Sequence, residues 1–173
     1  MLSGLAVFLF VGAVVIAAHK LGRYLAGRWL VGIPDGDIRL VVANFPQYVA
    51  LRDGDQWRGP ANFEQYLTAY RRYDPDLDHV AAFLAAGELA QTAAVVGIAT
   101  LGVVGGVDIV AQSSVLASVM LVGYHLIADL ALTFHMGHRT GDFTALWDHS
   151  RTTASVVALL VVVPHATLYA VLI

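Results

Sequence analysis

Apolar residues fill four stretches of this chain almost without interruption, and polar residues gather between them. The stretches cover about residues 1–19, 80–107, 115–135 and 153–173. A helix needs about 20 mainly apolar residues to cross a bilayer. Open strands would leave peptide groups unpaired in lipid, so each stretch reads as a transmembrane helix. Few polar groups break the pattern. Glu88 interrupts the second stretch, His125 and Asp129 the third, and Pro164 and His165 the fourth.

Residues 20–79 follow a different pattern. Residues 38–43 and 47–52 are short runs of strand-forming residues, with Asn44-Phe45-Pro46 between them and Asp53-Gly54 after. This predicts a small β-hairpin followed by a turn. From Asn62 a helical spacing begins, with Gln65 as a weak capping partner. Phe63, Tyr66, Leu67, Tyr70 and Tyr73 share a face, Arg71 and Arg72 flank it, and Asp74-Pro75 ends it. Such a face suits a helix lying among lipid headgroups, or one that covers the hairpin. The predicted fold class is an all-α integral membrane protein. Four transmembrane helices carry a cytoplasmic insert of a β-hairpin plus an interfacial helix, and residues 1–173 form a single membrane domain.

Composition supports this class. The 173 residues are 58% hydrophobic and 13% charged, with a mean hydropathy of +0.68. Soluble domains carry about 25% charged residues, so a soluble enzyme or a nucleic-acid-binding domain is disfavoured. The chain has no cysteine, which excludes disulfides, zinc–thiolate sites and cysteine nucleophiles.

The basic residues set an orientation. Eight lie between Lys20 and Arg72, the other two are Arg139 and Arg151, and the link between the second and third stretches has none. Cytoplasmic loops collect Lys and Arg. Loops 20–79 and 136–152 are therefore expected inside the cell membrane, with the N- and C-termini outside. Positive charge follows the first stretch rather than preceding it, which favours a retained anchor over a cleaved signal. Acids balance bases within both loops, so the formal charge of −3 resides on Glu88, Asp108 and Asp129.

Ionisable groups within a span are candidates for function. At 1.5 Å per residue, Glu88 lies about 14 Å, His125 about 15 Å and Asp129 about 9 Å from the inner surface. His125 and Asp129 are four residues apart and share a helix face. With Glu88 they could hold a proton or a divalent metal through nitrogen and oxygen donors, and His19 could approach them. The alternative is interhelical hydrogen bonding, at about 1 kcal/mol each. His135, His138 and Asp142 form a second set with zinc-like spacing, or a polar loop anchored by Trp147. Small residues at Ala86, Ala90, Ala94, Gly102 and Gly106 permit close helix packing.

The segment from Ala18-His19-Lys20-Leu21-Gly22-Arg23 through Arg28-Trp29, followed by Gly32-Ile33-Pro34, resembles the opening of the site-2 intramembrane metalloproteases. That family ends a span with His-Glu-x-Gly-His. It continues through a Gly-Ile turn, a hairpin and a small-residue span, and reaches an Asp-Gly zinc ligand after a third span. Residues 80–94 resemble the second family span, and Gly141-Asp142 falls near the place of the aspartate. The resemblance implies that His19 and Asp142 are retained ligands. The water-activating glutamate is replaced by Lys20 and the second histidine by Arg23, cations that repel zinc and supply no base.

The resemblance therefore implies a degenerate, non-proteolytic relative that binds or scaffolds other membrane proteins. The expected role is a non-enzymatic accessory subunit or scaffold. Its partners would be the lipid bilayer and other membrane-protein subunits, with no nucleic acid. The alternative is a proton- or metal-handling protein using Glu88, His125 and Asp129. Candidate ligands for a divalent metal are His19, Glu88, His125, Asp129 and Asp142.

Overall fold

A computed structural model describes residues 2–43, 47–136 and 141–173. The elements run α1 (Leu2–Trp29), β1 (Ile38–Val41), β2 (Tyr48–Asp53), β3 (Gln56–Arg58), α2 (Phe63–Arg71), α3 (Val80–Val104), α4 (Asp108–Met136), α5 (Asp142–His149) and α6 (Arg151–Leu172). Four of them, α1, α3, α4 and α6, are long and apolar enough to cross a membrane. Large apolar side chains such as Phe10, Leu101, Ile127, Phe134 and Leu159 point outward from them. Exposed apolar faces of that extent are compatible with a multi-pass membrane protein.

The boundaries differ from the sequence reading in two informative places. First, α1 runs ten residues past the expected end at 19, so Lys20, Arg23 and Arg28 lie on the helix rather than in a loop. Charge does not stop a helix, and the helix ends at Trp29, shortly before Gly32 takes a left-handed φ of +79°. Second, α4 begins at Asp108 rather than near 115. Asp108 occupies its first turn, where the helix dipole favours an acid.

The insert is larger than a hairpin. β1, β2 and β3 form a three-stranded antiparallel sheet in that order, with Ile38 opposite Leu51 and Leu51 opposite Arg58. Gly54, at φ +60°, and Asp55 make the two-residue turn between β2 and β3. Asn44, Phe45 and Pro46, the expected turn between the first two strands, lie outside the described residues.

Helix α2 buries Tyr66, Ala69 and Tyr70. These join Ile33, Ile38, Val49, Leu51 and Phe83 in one core. Of the two readings for this aromatic face, the sheet-covering one matches the packing. The core ties the insert to the end of α1 and the start of α3.

Helices α1 and α3 pack closely at Gly22. A side chain there would overlap Ala90 and the Ala86 carbonyl. Ala86 and Ala90 of the small-residue stripe thus take the close-packing role expected of them. A second core joins Val11, Val15, Val95, Ala99, Ala111 and Val115 at the opposite end of the bundle.

Candidate functional site

Two polar centres lie one helical turn apart on α1, and both line a cavity of about 640 Å³ at the insert end of the bundle. His19 begins the first centre and Arg23 the second.

At the first, His19 (α1), Glu88 (α3) and His125 (α4) converge, with one potential ligand atom from each lying within 4.8 Å of the others. His125 Nδ1 lies 3.0 Å from Glu88 Oε1, and His19 Nδ1 lies 3.7 Å from the same oxygen. The two imidazole rings are 4.6 Å apart between centroids. Gly87 makes this possible, because a Cβ there would sit 2.8 Å from His19 Nε2 and against the rest of the ring. Glu88 Oε2 is buried without a hydrogen-bond partner among the described residues.

A hydrogen-bonded chain fixes His19 from behind. His165 Nδ1 lies 2.7 Å from the Val161 carbonyl, which can only accept, so Nδ1 carries the proton of the neutral ring. His165 Nε2 then accepts from the Ser118 hydroxyl at 2.6 Å. Ser118 Oγ accepts from Gln91 Nε2 at 2.8 Å. Gln91 is thereby turned with Oε1 toward His19, and accepts from its Nδ1–H at 3.2 Å. The chain crosses α6, α4, α3 and α1, and its members are buried. Sequence reading noted His165 but missed Gln91 and Ser118. A glutamine flanked by small residues within a span was the available signal.

At the second centre, Arg23 donates to Asp142 of α5 in an ion pair. Arg23 also lies over the Phe83 ring, 4.8 Å from its centroid. Burial opposes ionisation of Asp142, but the charge and hydrogen bond of Arg23 hold its carboxyl below the ordinary value. Burial likewise pushes the nearby Tyr66 hydroxyl up to about 12, with Arg23 opposing. A second cavity of about 770 Å³ is also lined by Arg23 and Asp142.

Asp129 is placed apart from the His19–Glu88–His125 cluster. Its Oδ2 accepts from the Thr144 N–H at 2.9 Å and its Oδ1 from the Thr144 hydroxyl at 2.6 Å. Thr144 is in the first turn of α5, so Asp129 caps that helix from α4. Gly141 is required here, since a Cβ would overlap the Asp129 carboxylate. The cap seats α5 so that Asp142 meets Arg23.

The structure therefore divides the five candidate ligands into three sets: His19, Glu88 and His125 together, Asp142 on Arg23, and Asp129 on Thr144. His135 is exposed at the end of α4, and His138, its expected partner, lies outside the described residues. Where a loop was expected after α4, residues 142–149 form α5, which buries Leu146 against Ala85, Ala154, Val157 and Val161.

Comparison with protein-family models, curated proteins and solved structures yields no match to this chain.

Proposed function

We propose that the chain is a polytopic membrane protein that works without hydrolysis, as an accessory subunit or scaffold, in the manner of a degenerate site-2-protease relative. The observation that carries this reading is the Arg23–Asp142 ion pair. The resemblance assigns His19, Arg23 and Asp142 to the positions of zinc ligands. Arg23 supplies a fixed positive charge to Asp142 in place of a metal, and His19 is turned toward Gln91 and Glu88 instead. No general base stands at Lys20, because an ammonium cannot take a proton from water. What remains is a cavity with largely apolar walls, bounded by Trp57 of the sheet and Leu84 of α3. Such a cavity suits the binding of a membrane segment from another subunit. In this reading the insert and α5 face the cytoplasm and both termini lie outside.

The test is purification in mild detergent with a photo-crosslinking residue in place of Trp57. The expected result is a defined complex with a membrane protein, an adduct at position 57, and no cleavage of model membrane substrates. A monodisperse monomer that copurifies with nothing, or cleavage that disappears in His19→Ala, overturns the proposal.

A second reading rests on the 3.0 Å contact between His125 and Glu88. A carboxylate beside an imidazole can exchange protons near neutral pH. Proteoliposomes that acidify in response to a potential, and lose this in Glu88→Gln, would favour it.

A further inference from the structure

We infer that His19, Glu88, His125 and Gln91 form a four-donor centre for a divalent transition-metal cation of the zinc type, which fastens α1, α3 and α4 together. The inference goes beyond the proposed scaffold function and stands without it.

The donors are spaced as a metal ion requires. A tetrahedral ion with bonds of about 2.0–2.2 Å sets neighbouring donors about 3.3–3.6 Å apart. Here His125 Nδ1 is 3.0 Å from Glu88 Oε1, His19 Nδ1 is 3.2 Å from Gln91 Oε1, and His19 Nδ1 is 3.7 Å from Glu88 Oε1. These three of the six edges straddle the expected value, and the donor atoms of His19, Glu88 and His125 all lie within 4.8 Å of one another. Small rotamer adjustments bring them onto it, with the two ring protons moving from Nδ1 to Nε2 on loading.

The direction of Gln91 also favours a ligand role. An amide can present either its oxygen or its nitrogen. The chain from Val161 through His165 and Ser118 takes the nitrogen side and leaves Oε1 facing His19. Metal ligands are commonly held by such outer partners. Glu88 Oε2 is a buried carboxylate oxygen that lacks a hydrogen-bond partner among the described residues. A cation at this carboxylate would compensate its charge.

Two imidazoles with two oxygens form a borderline donor set suited to Zn²⁺ or Co²⁺ rather than to Ca²⁺ or Mg²⁺, which prefer all-oxygen shells. Four protein donors also close the coordination sphere. Closed sites stabilise structure, whereas catalytic zinc keeps an open position. The positive groups nearest the centre are Lys20, which lines the same cavity, and Arg23, which is neutralised by Asp142.

The test uses the full chain in detergent, stripped with a chelator and titrated with Co²⁺, then with Zn²⁺ in competition. One equivalent of Co²⁺ is expected, with the intense visible bands of four-coordinate cobalt. Glu88→Gln and His125→Ala should each abolish those bands, and Gln91→Glu should retain them. Ser118→Ala, which frees Gln91 to turn, should weaken binding by about 10–100-fold. Asp129→Asn should leave affinity unchanged. Circular dichroism identifies any variant that fails to fold, and the Gln91→Glu and Asp129→Asn results then carry the test. Absence of saturable binding by the folded wild type overturns the centre, as does binding indifferent to Glu88 and His125. Weak six-coordinate bands overturn Gln91 as a donor. None of these outcomes bears on whether a partner subunit binds, so the two proposals fail separately.

Discussion

His19 and Arg23 stand one turn apart on the same helix, line the same cavity, and are both buried, yet their surroundings solve the burial problem in opposite ways. Arg23 keeps its charge and takes a full counter-charge from Asp142. His19 is held by a neutral hydrogen-bonded chain that ends on a backbone carbonyl. The difference follows from the side chains. A guanidinium does not deprotonate in a protein, so it requires an anion. An imidazole can stay neutral and needs only one acceptor for its N–H. One centre is consequently fixed by charge and the other by orientation, and only the second leaves donor atoms available to a ligand.

That contrast makes the charged centre the costlier one to damage. Arg23→Ala leaves Asp142 partly buried without its partner and is expected to destabilise the protein by about 3–5 kcal/mol. Arg23→Met combined with Asp142→Leu should recover most of that loss. Denaturant unfolding in detergent measures both, and equal losses for the single and double variants would break the comparison.

The insert contains a second charge-centred device for calibration. Asp74 is buried and accepts from the Tyr70 hydroxyl at 2.9 Å, the His79 N–H at 2.9 Å and the Asp78 N–H at 3.0 Å. Burial opposes its ionisation, but these donors hold its carboxyl below the ordinary value of 3.8. Its contribution is therefore complete above the unfolded value and is lost as pH falls through the lower folded one. Asp74→Asn should cost about 2–3 kcal/mol at neutral pH. The gap from wild type should close on strong acidification, and thermal melts across acidic pH read it. A gap that widened in acid would contradict this assignment.

Effects at the hydrogen-bonded centre should be smaller. Gly87→Ala presses a methyl against the His19 ring and should cost about 1–3 kcal/mol, with a parallel loss of cobalt affinity. Ser118→Ala removes one link of the chain and should cost about 1 kcal/mol. A Ser118→Ala loss as large as that of Arg23→Ala would mean that orientation and charge are not separable here.

Much of the architecture is legible along the chain because its cause is local. Four long apolar stretches become four helices, as uninterrupted hydrophobicity over about 20 residues requires. Asp53-Gly54 becomes a turn because glycine accepts a positive φ. The third strand escaped notice because Gln56–Arg58 is only three residues long, too short for its polar–apolar–polar order to stand out. Helix α5 escaped because its eight residues contain charged and aromatic groups and are held by a cap from α4. In the same way, Glu88 and His125 could be singled out as ionisable groups within spans, and the structure brings them together. Asp129 could be singled out on the same grounds, yet its carboxylate faces Thr144.

The sequence by itself determined where the four long helices run, which ionisable groups lie within them, and that His125 and Asp129 share a face, because hydrophobic length and helical period depend only on order along the chain. Which groups meet across helices was decided by the tertiary structure alone. The rotation of each helix about its axis is set by packing, such as the contact of Gly22 with Ala86 and Ala90. A turn of about 100° per residue separates a neighbour from a stranger. That rotation put His19 beside Glu88, gave Arg23 to Asp142, and left Asp129 to cap a helix.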